Sequence, residues 1–188
     1  MNRGDDFSGL RVLVIDESAP MRRIVRTLLN TFGARDVIEA GNGGEGLARF
    51  FEQAPDLVIT DLAMPIIDGI ELTQMIRQPH ETANARTPII MLTSQTARPC
   101  ILAARDAGVT EVVANPVWPK ALRARIASSL RNPRPFVSTT TFFGPDRRRS
   151  LAMHYLGPDR RARHTVGAAE PARSITTTGS LRLEVVRI

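Results

Sequence analysis

The residues best suited to chemistry stand at the ends of three short apolar runs. Leu57-Val58-Ile59-Thr60 delivers Asp61, Leu10-Arg11-Val12-Leu13-Val14-Ile15 delivers the acidic pair Asp16-Glu17, and Pro88-Ile89-Ile90-Met91-Leu92 ends in Thr93-Ser94. Runs of this length and β-branched content read as buried strands. A single Asp at a strand end is commonly a turn former or a helix cap. Three carboxylates and a hydroxyl at the ends of parallel neighbours are a different matter, because open α/β sheets place their ligands in the crevice there. Carboxylates gathered in that way repel one another unless a hard divalent cation sits among them. Mg²⁺ takes such oxygen-rich, partly hydrated sites. A carboxylate so placed can attack a phosphoryl group and form an aspartyl phosphate, and Thr93 can bond a phosphoryl oxygen.

The intervening segments must fold to bring these ends together. Ser18 reads as a helix N-cap with Pro20 in the first turn, and the helix is expected to run to about Phe32 and stop at Gly33. Arg22, Arg23 and Arg26 lie off its apolar face and form either a solvated face, the default expectation, or a contact for a kinase or motor partner. Asp36–Ala40 is a second strand, and Asn42 caps a helix from Gly43 to about Gln53. A turn through Met64-Pro65 leads to a helix from Gly69 to about Arg77, and 79–87 is a polar loop. A helix from about Thr96 to Ala107, a strand Glu111–Ala114 and a helix from Pro119 to about Leu130 complete the series. Five strands alternating with five helices indicate a doubly wound α/β fold, a flavodoxin-like five-stranded parallel sheet with helices on both faces. The glycines at 41, 43, 44 and 46 match neither a G-x-G-x-x-G fingerprint nor a P-loop with its lysine, which argues against a nucleotide cradle there.

With these residues in view, 9–131 resemble the receiver domain of two-component response regulators, most closely the stand-alone chemotaxis receivers. The matching pieces are Val12-Leu13-Val14-Ile15-Asp16-Glu17-Ser18, Met21–Arg26, Asp61-Leu62-Ala63-Met64-Pro65-Ile66-Ile67-Asp68-Gly69, Met91-Leu92-Thr93-Ser94 and Asn115-Pro116. The resemblance implies that Asp61 is the phosphoacceptor. It implies that Asp16, Glu17, Asp61 and the backbone carbonyl of Ala63 hold Mg²⁺, and that Thr93 is the switch hydroxyl. It also implies a sensor histidine kinase or phosphotransfer protein as donor, output by protein contact, and no enzymatic activity beyond the chain's own phosphorylation and dephosphorylation. Chemotaxis or flagellar machinery is the downstream partner that such a receiver suggests.

Three positions depart from the family pattern. The phosphoryl-contacting Lys is Asn115, which can donate a hydrogen bond but brings no charge. The aromatic switch position is Val112, which has no ring to swing, and the second acid is Glu17 rather than Asp. The chain's only lysine, Lys120, lies five residues beyond Asn115 and is expected in solvent. Ala63 offers no side chain to orient a hydrolytic water, so a long-lived phosphoryl group is expected.

At 188 residues the chain allows one domain and an extension, and 43% hydrophobic residues suffice for a core. The single Cys100 permits no internal disulfide and fits a reducing, cytoplasmic setting; in its expected helix it reads as a small apolar residue. No apolar run approaches the roughly 18–20 residues of a membrane span, and the first residues lack a signal peptide's apolar segment. The net charge of +6 is asymmetric: residues 1–131 hold 15 basic and 15 acidic side chains, and residues 132–188 hold 10 arginines and 4 acids. The expected division is therefore a receiver-like domain at 1–131 and an arginine-rich interaction tail at 132–188, with the boundary at Asn132-Pro133-Arg134-Pro135.

That tail contains a repeat. Phe143-Gly144-Pro145-Asp146-Arg147-Arg148-Arg149 recurs thirteen residues later as Leu156-Gly157-Pro158-Asp159-Arg160-Arg161-Ala162, each copy preceded by an aromatic, Phe142 or Tyr155. Three readings stay open: a solvated linker, a nucleotide site using Arg147, Arg148, Arg160 and Arg161, or a dock for an acidic protein. The tail is loosely similar to arginine-rich extensions of chemotaxis-like receivers that bind cyclic di-GMP. The alternative overall reading is thus a phosphorylation-independent adaptor with its input in the tail. No helix-turn-helix or zinc spacing supports sequence-specific DNA binding.

Overall fold

The computed structural model describes residues 7–78, 83–139 and 142–146. Five strands, β1 (Arg11–Ile15), β2 (Asp36–Ala40), β3 (Leu57–Asp61), β4 (Ile89–Thr93) and β5 (Glu111–Ala114), form one parallel sheet in the order β2-β1-β3-β4-β5. Between them run α1 (Ala19–Thr31), α2 (Gly43–Gln53), α3 (Gly69–Arg77), α4 (Arg98–Ala107) and α5 (Pro119–Arg131). This is the flavodoxin-like winding expected from the sequence, with α4 starting two residues later than the Thr96 estimate. A 3₁₀ turn, Ala83–Arg86, lies in the described part of the 79–87 loop.

The strands carry unbroken apolar runs because helices cover both faces. Alternate side chains point to opposite sides, so Val12, Val14, Leu57 and Ile59 join Leu29, Leu122 and Ile126 in one core. Leu13, Ile15 and Val58 join Phe50, Leu72 and Ile76 in the other. A third cluster, Leu62, Met91, Ala104 and Val109, receives Val112 and Cys100, so Cys100 serves as a small apolar residue as its context suggested. The helix starts are fixed by side-chain caps. Ser18 Oγ accepts from the Met21 N–H at 3.4 Å, Asn42 Oδ1 accepts from Glu45 at 2.8 Å, and Asp68 with Glu71 forms a reciprocal capping box.

The chain does not leave the fold at Asn132. Phe136–Ser138 (β6) and Phe143–Pro145 (β7) pair antiparallel, so described residues beyond Arg131 carry regular structure of their own. The first copy of the repeated Gly-Pro-Asp segment thus forms a strand and its following residue, with Phe143, Gly144 and Pro145 all buried. The hairpin is anchored at the amino-terminal ends of the strands. Gly108 has φ +100°, and a Cβ on Gly144 would stand 2.9 Å from the Gly108 Cα, so these two backbones meet where only glycine fits. The Phe136 ring covers the Arg77 guanidinium at 5.2 Å. Arg134 reaches the buried Glu111 carboxylate at 2.6 Å beside Arg125 at 2.9 Å. The second repeat copy and Arg147, Arg148, Arg160 and Arg161 lie outside the described residues. No helix among the described residues is long and apolar enough to cross a membrane.

Candidate functional site

Strand register assembles the site. Ile15 pairs with Thr60, so the next residues, Asp16 and Asp61, lie side by side at the carboxyl ends of β1 and β3. Asp61 in turn pairs with Leu92, which places Thr93 one step further along the neighbouring strand. Thr93 pairs with Ala114, and the Asn115 N–H donates to the Thr93 carbonyl at 2.8 Å. Three of the expected strand ends, and the fourth at Asn115, therefore open on one crevice.

Each central carboxylate has one oxygen committed to the backbone. Asp16 Oδ1 accepts from the Ser18 N–H at 2.7 Å, and Asp61 Oδ1 accepts from the Leu62 N–H at 2.8 Å. These bonds orient the two groups. Asp16 is buried, Asp61 is half-buried and Glu17 is exposed. Burial is the main cause that raises the Asp61 pKa above the ordinary carboxylate range, and the nearby charge of Asp16 adds to it; the Leu62 and Ala63 N–H groups pull the other way. Burial likewise raises Asp16, opposed by the Ser18 N–H and by Arg22. Thr93 is buried and its Oγ1 accepts from the Gln95 N–H at 2.9 Å.

The start of α3 presses on the end of β3. A Cβ on Gly69 would stand 2.3 Å from the Asp61 carbonyl, so no other residue fits there without moving β3 or α3. The turn before it holds Met64 buried and forces Ile66 to φ +72° with its side chain 96% exposed. A β-branched residue in that region is strained. Val112 sits half-buried among Met91 and Ala104 with no ring to move, and Lys120 is exposed in the first turn of α5.

Two roles were not legible in the sequence. Arg22, expected on a solvated face, folds back so that its Nη1 donates to the Asp16 carbonyl at 2.7 Å and the Glu17 carbonyl at 3.3 Å, while Nε reaches Glu39 at 3.4 Å. Arg77, a helix-ending cation by pattern, is buried and donates four bonds to the carbonyls of Gly108, Ala85 and Thr87. Burial lowers its pKa to about 9, which still leaves it charged at neutral pH. The signal for Arg22 was its place in the first turn of α1, one strand away from Glu39; nothing in the pattern marked Arg77.

The oxygen donors fit a magnesium-type cation held through water. No three carboxylate, histidine or cysteine side chains among the described residues stand together as a ready metal cage. Mg²⁺ keeps several waters and engages one or two carboxylates, so a closed cage is not what it needs. The buried Oδ1 of Asn115 has no partner in the protein, and an acceptor left this way suits a donor such as a metal-bound water or a hydroxyl. Asp16 and Asp61 would hold the ion, with Glu17 and the Ala63 carbonyl at its edge.

Comparison with known proteins agrees with the fold. The response regulator receiver domain family matches residues 12–127, well over half of the chain, and this protein belongs to that family. The chain is 39% identical over 121 residues to a probable transcriptional regulator ycf27 of Porphyridium aerugineum, an alignment covering 64% of this chain and 48% of that one. It therefore spans about half the length of such curated relatives. The chemotaxis protein CheY1 of Helicobacter pylori is 32% identical over 118 residues, 62% of this chain and 94% of that one. A crystal structure of a response regulator from Chloroflexus aurantiacus superposes with a TM-score of 0.60 at 29% identity, covering 64% of this chain and 97% of that one.

Proposed function

We propose that this receiver accepts a phosphoryl group on Asp61 from a partner's phosphohistidine and signals by protein contact, catalysing nothing beyond its own phosphorylation and dephosphorylation. The observation that carries this reading is the placement of Asp16 and Asp61 side by side at adjacent strand ends, with the Thr93 strand next to them. The Leu62 N–H holds Asp61 Oδ1, and a carboxylate oxygen of Asp61 attacks phosphorus as the P–N bond breaks and its electron pair leaves on the imidazole. The Thr93 hydroxyl then donates to a phosphoryl oxygen. A bound Mg²⁺ would neutralise charge on the transferring group. Asn115 can donate a neutral hydrogen bond but adds no positive charge, so the site leans more heavily on its cation than a lysine-bearing one.

A second reading has its own support: Asn115 and Val112 replace the family's phosphoryl-contacting lysine and switch aromatic. On that reading the chain is an adaptor whose input is its arginine-rich tail, through a nucleotide such as cyclic di-GMP or an acidic partner. Trp118, 72% exposed and two residues beyond Pro116, is the single tryptophan and separates the two. Its fluorescence, followed while Mg²⁺ and then beryllofluoride are added, changes in a manner that requires Asp61 if the pocket signals. A response unchanged in Asp61→Ala sinks the phosphoacceptor reading.

A further inference from the structure

The acid-bearing turn between β1 and α1 is held from outside by one side chain. Arg22 lies in the first turn of α1 and is largely buried, and its Nη1 bonds the backbone carbonyls of both Asp16 and Glu17. Its Nε is anchored on Glu39 of β2, the strand beside β1. The guanidinium thus bridges the turn that carries two acids to the neighbouring strand, and a planar fork is what allows one side chain to reach all three oxygens. Within the turn, Asp16 Oδ1 bonds the Ser18 N–H and the Asp16 N–H bonds the Ala40 carbonyl at 3.2 Å. Those contacts fix the Asp16 side chain only as well as the backbone on either side of it is fixed, and Arg22 holds that backbone. At the other rim of the crevice the position of the phosphoryl-contacting cation is Asn115, uncharged.

Arg26 provides a built-in comparison. It lies one turn further along the same helix and bonds the other oxygen of Glu39 at 3.1 Å, yet bonds neither carbonyl of the turn. The two arginines share helix, charge and partner, and differ in contact with the acid-bearing backbone.

We propose that Arg22 is a positioning residue that holds the Asp16–Glu17 turn in its cation-binding shape and so sets the divalent-metal affinity of the pocket. The proposal rests on the phosphoacceptor reading of the site but concerns metal binding without a phosphodonor. Groups that orient metal ligands typically change affinity by about ten- to a hundredfold when removed. Lysine in place of Arg22 keeps the charge and one donor direction but loses the fork.

The test is Mn²⁺ binding to the full chain, read by electron paramagnetic resonance of the free ion, with Mg²⁺ as competitor. Arg22→Ala is expected to weaken binding about tenfold, Arg22→Lys about threefold, and Arg26→Ala to leave it at the wild-type value. Thermal melts run alongside show whether each variant is folded. Should Arg22→Ala fail to fold, Arg22→Lys against Arg26→Ala decides on the same criterion. Wild-type affinity in the Arg22 variants, or equal weakening in Arg26→Ala, overturns the proposal, and so does a wild type that binds no Mn²⁺. A wild type that binds the ion with the expected ranking of variants yet takes no phosphoryl label upholds this inference and overturns the proposed function alone.

Discussion

Arg77→Met is the sharpest perturbation of the fold. It removes four hydrogen bonds and strands the carbonyls of Gly108, Ala85 and Thr87 in a buried setting. An unsatisfied buried acceptor costs about 1–3 kcal/mol. Ala85 and Thr87 flank the exposed residue Arg86 and can recover some hydration by small movements, so the lower end applies to them. The Phe136 ring also loses the nearer of its two guanidinium neighbours, Arg77 at 5.2 Å, a further contact of about 0.5–1 kcal/mol, and keeps Arg86 at 6.0 Å. Together these give an expected loss of about 3.5–6 kcal/mol, a large share of a typical domain's stability. Arg77→Lys, with one ammonium in place of the fork, satisfies some of the carbonyls and is expected to lose about half as much. Urea unfolding of the full chain, followed by far-ultraviolet circular dichroism, reads both. Amide exchange at β6 and β7 should accelerate in Arg77→Met even below the transition. A loss under about 1 kcal/mol, or unaltered exchange in the hairpin, would show that the guanidinium does not tie the extension to the sheet.

Three further outcomes follow from the site. The raised pKa values of Asp16 and Asp61 mean that the metal-free fold gains stability as pH falls toward them and loses it as pH rises through them, so Asp16→Asn should raise the neutral-pH melting temperature in chelator and flatten its pH dependence above the ordinary carboxylate pKa of about 4. Asn115→Lys places an ammonium beside those acids and removes the orphaned Oδ1, and should stabilise the metal-free protein by about 1 kcal/mol while weakening Mg²⁺ binding, measurable by melts with and without the ion. Ile66→Asn relieves a β-branched residue at φ +72° whose side chain is exposed, and should add about 0.5–1 kcal/mol in urea unfolding.

The parts of this fold that were legible in the sequence are those where one physical signal dominates. Val12–Ile15 and Ile89–Leu92 are buried on both faces, so they read as unbroken apolar runs, and Ser18, Asn42 and Asp68 announce their helices by accepting N–H groups through side chains. The acids at the strand ends were visible for the same reason: a charged residue directly after such a run must lie at a sheet edge or a crevice. The hairpin was hidden because its strands are three residues each and one ends in proline, a pattern that reads as a turn-rich tail. The contacts that make it part of the body, Gly144 on Gly108, Phe136 over Arg77 and Arg134 on Glu111, are all long-range. Arg22 was hidden because a cation among three on a helix reads as solvated until the neighbouring strand is in place.

The most direct measurement of the central claim is the intact mass of the full chain after incubation with acetyl phosphate and Mg²⁺, followed by locating the modified residue. The account predicts one added phosphoryl group, on Asp61, absent in Asp61→Asn and absent when the cation is chelated. An unmodified wild-type chain, or a label that persists in Asp61→Asn, would contradict it.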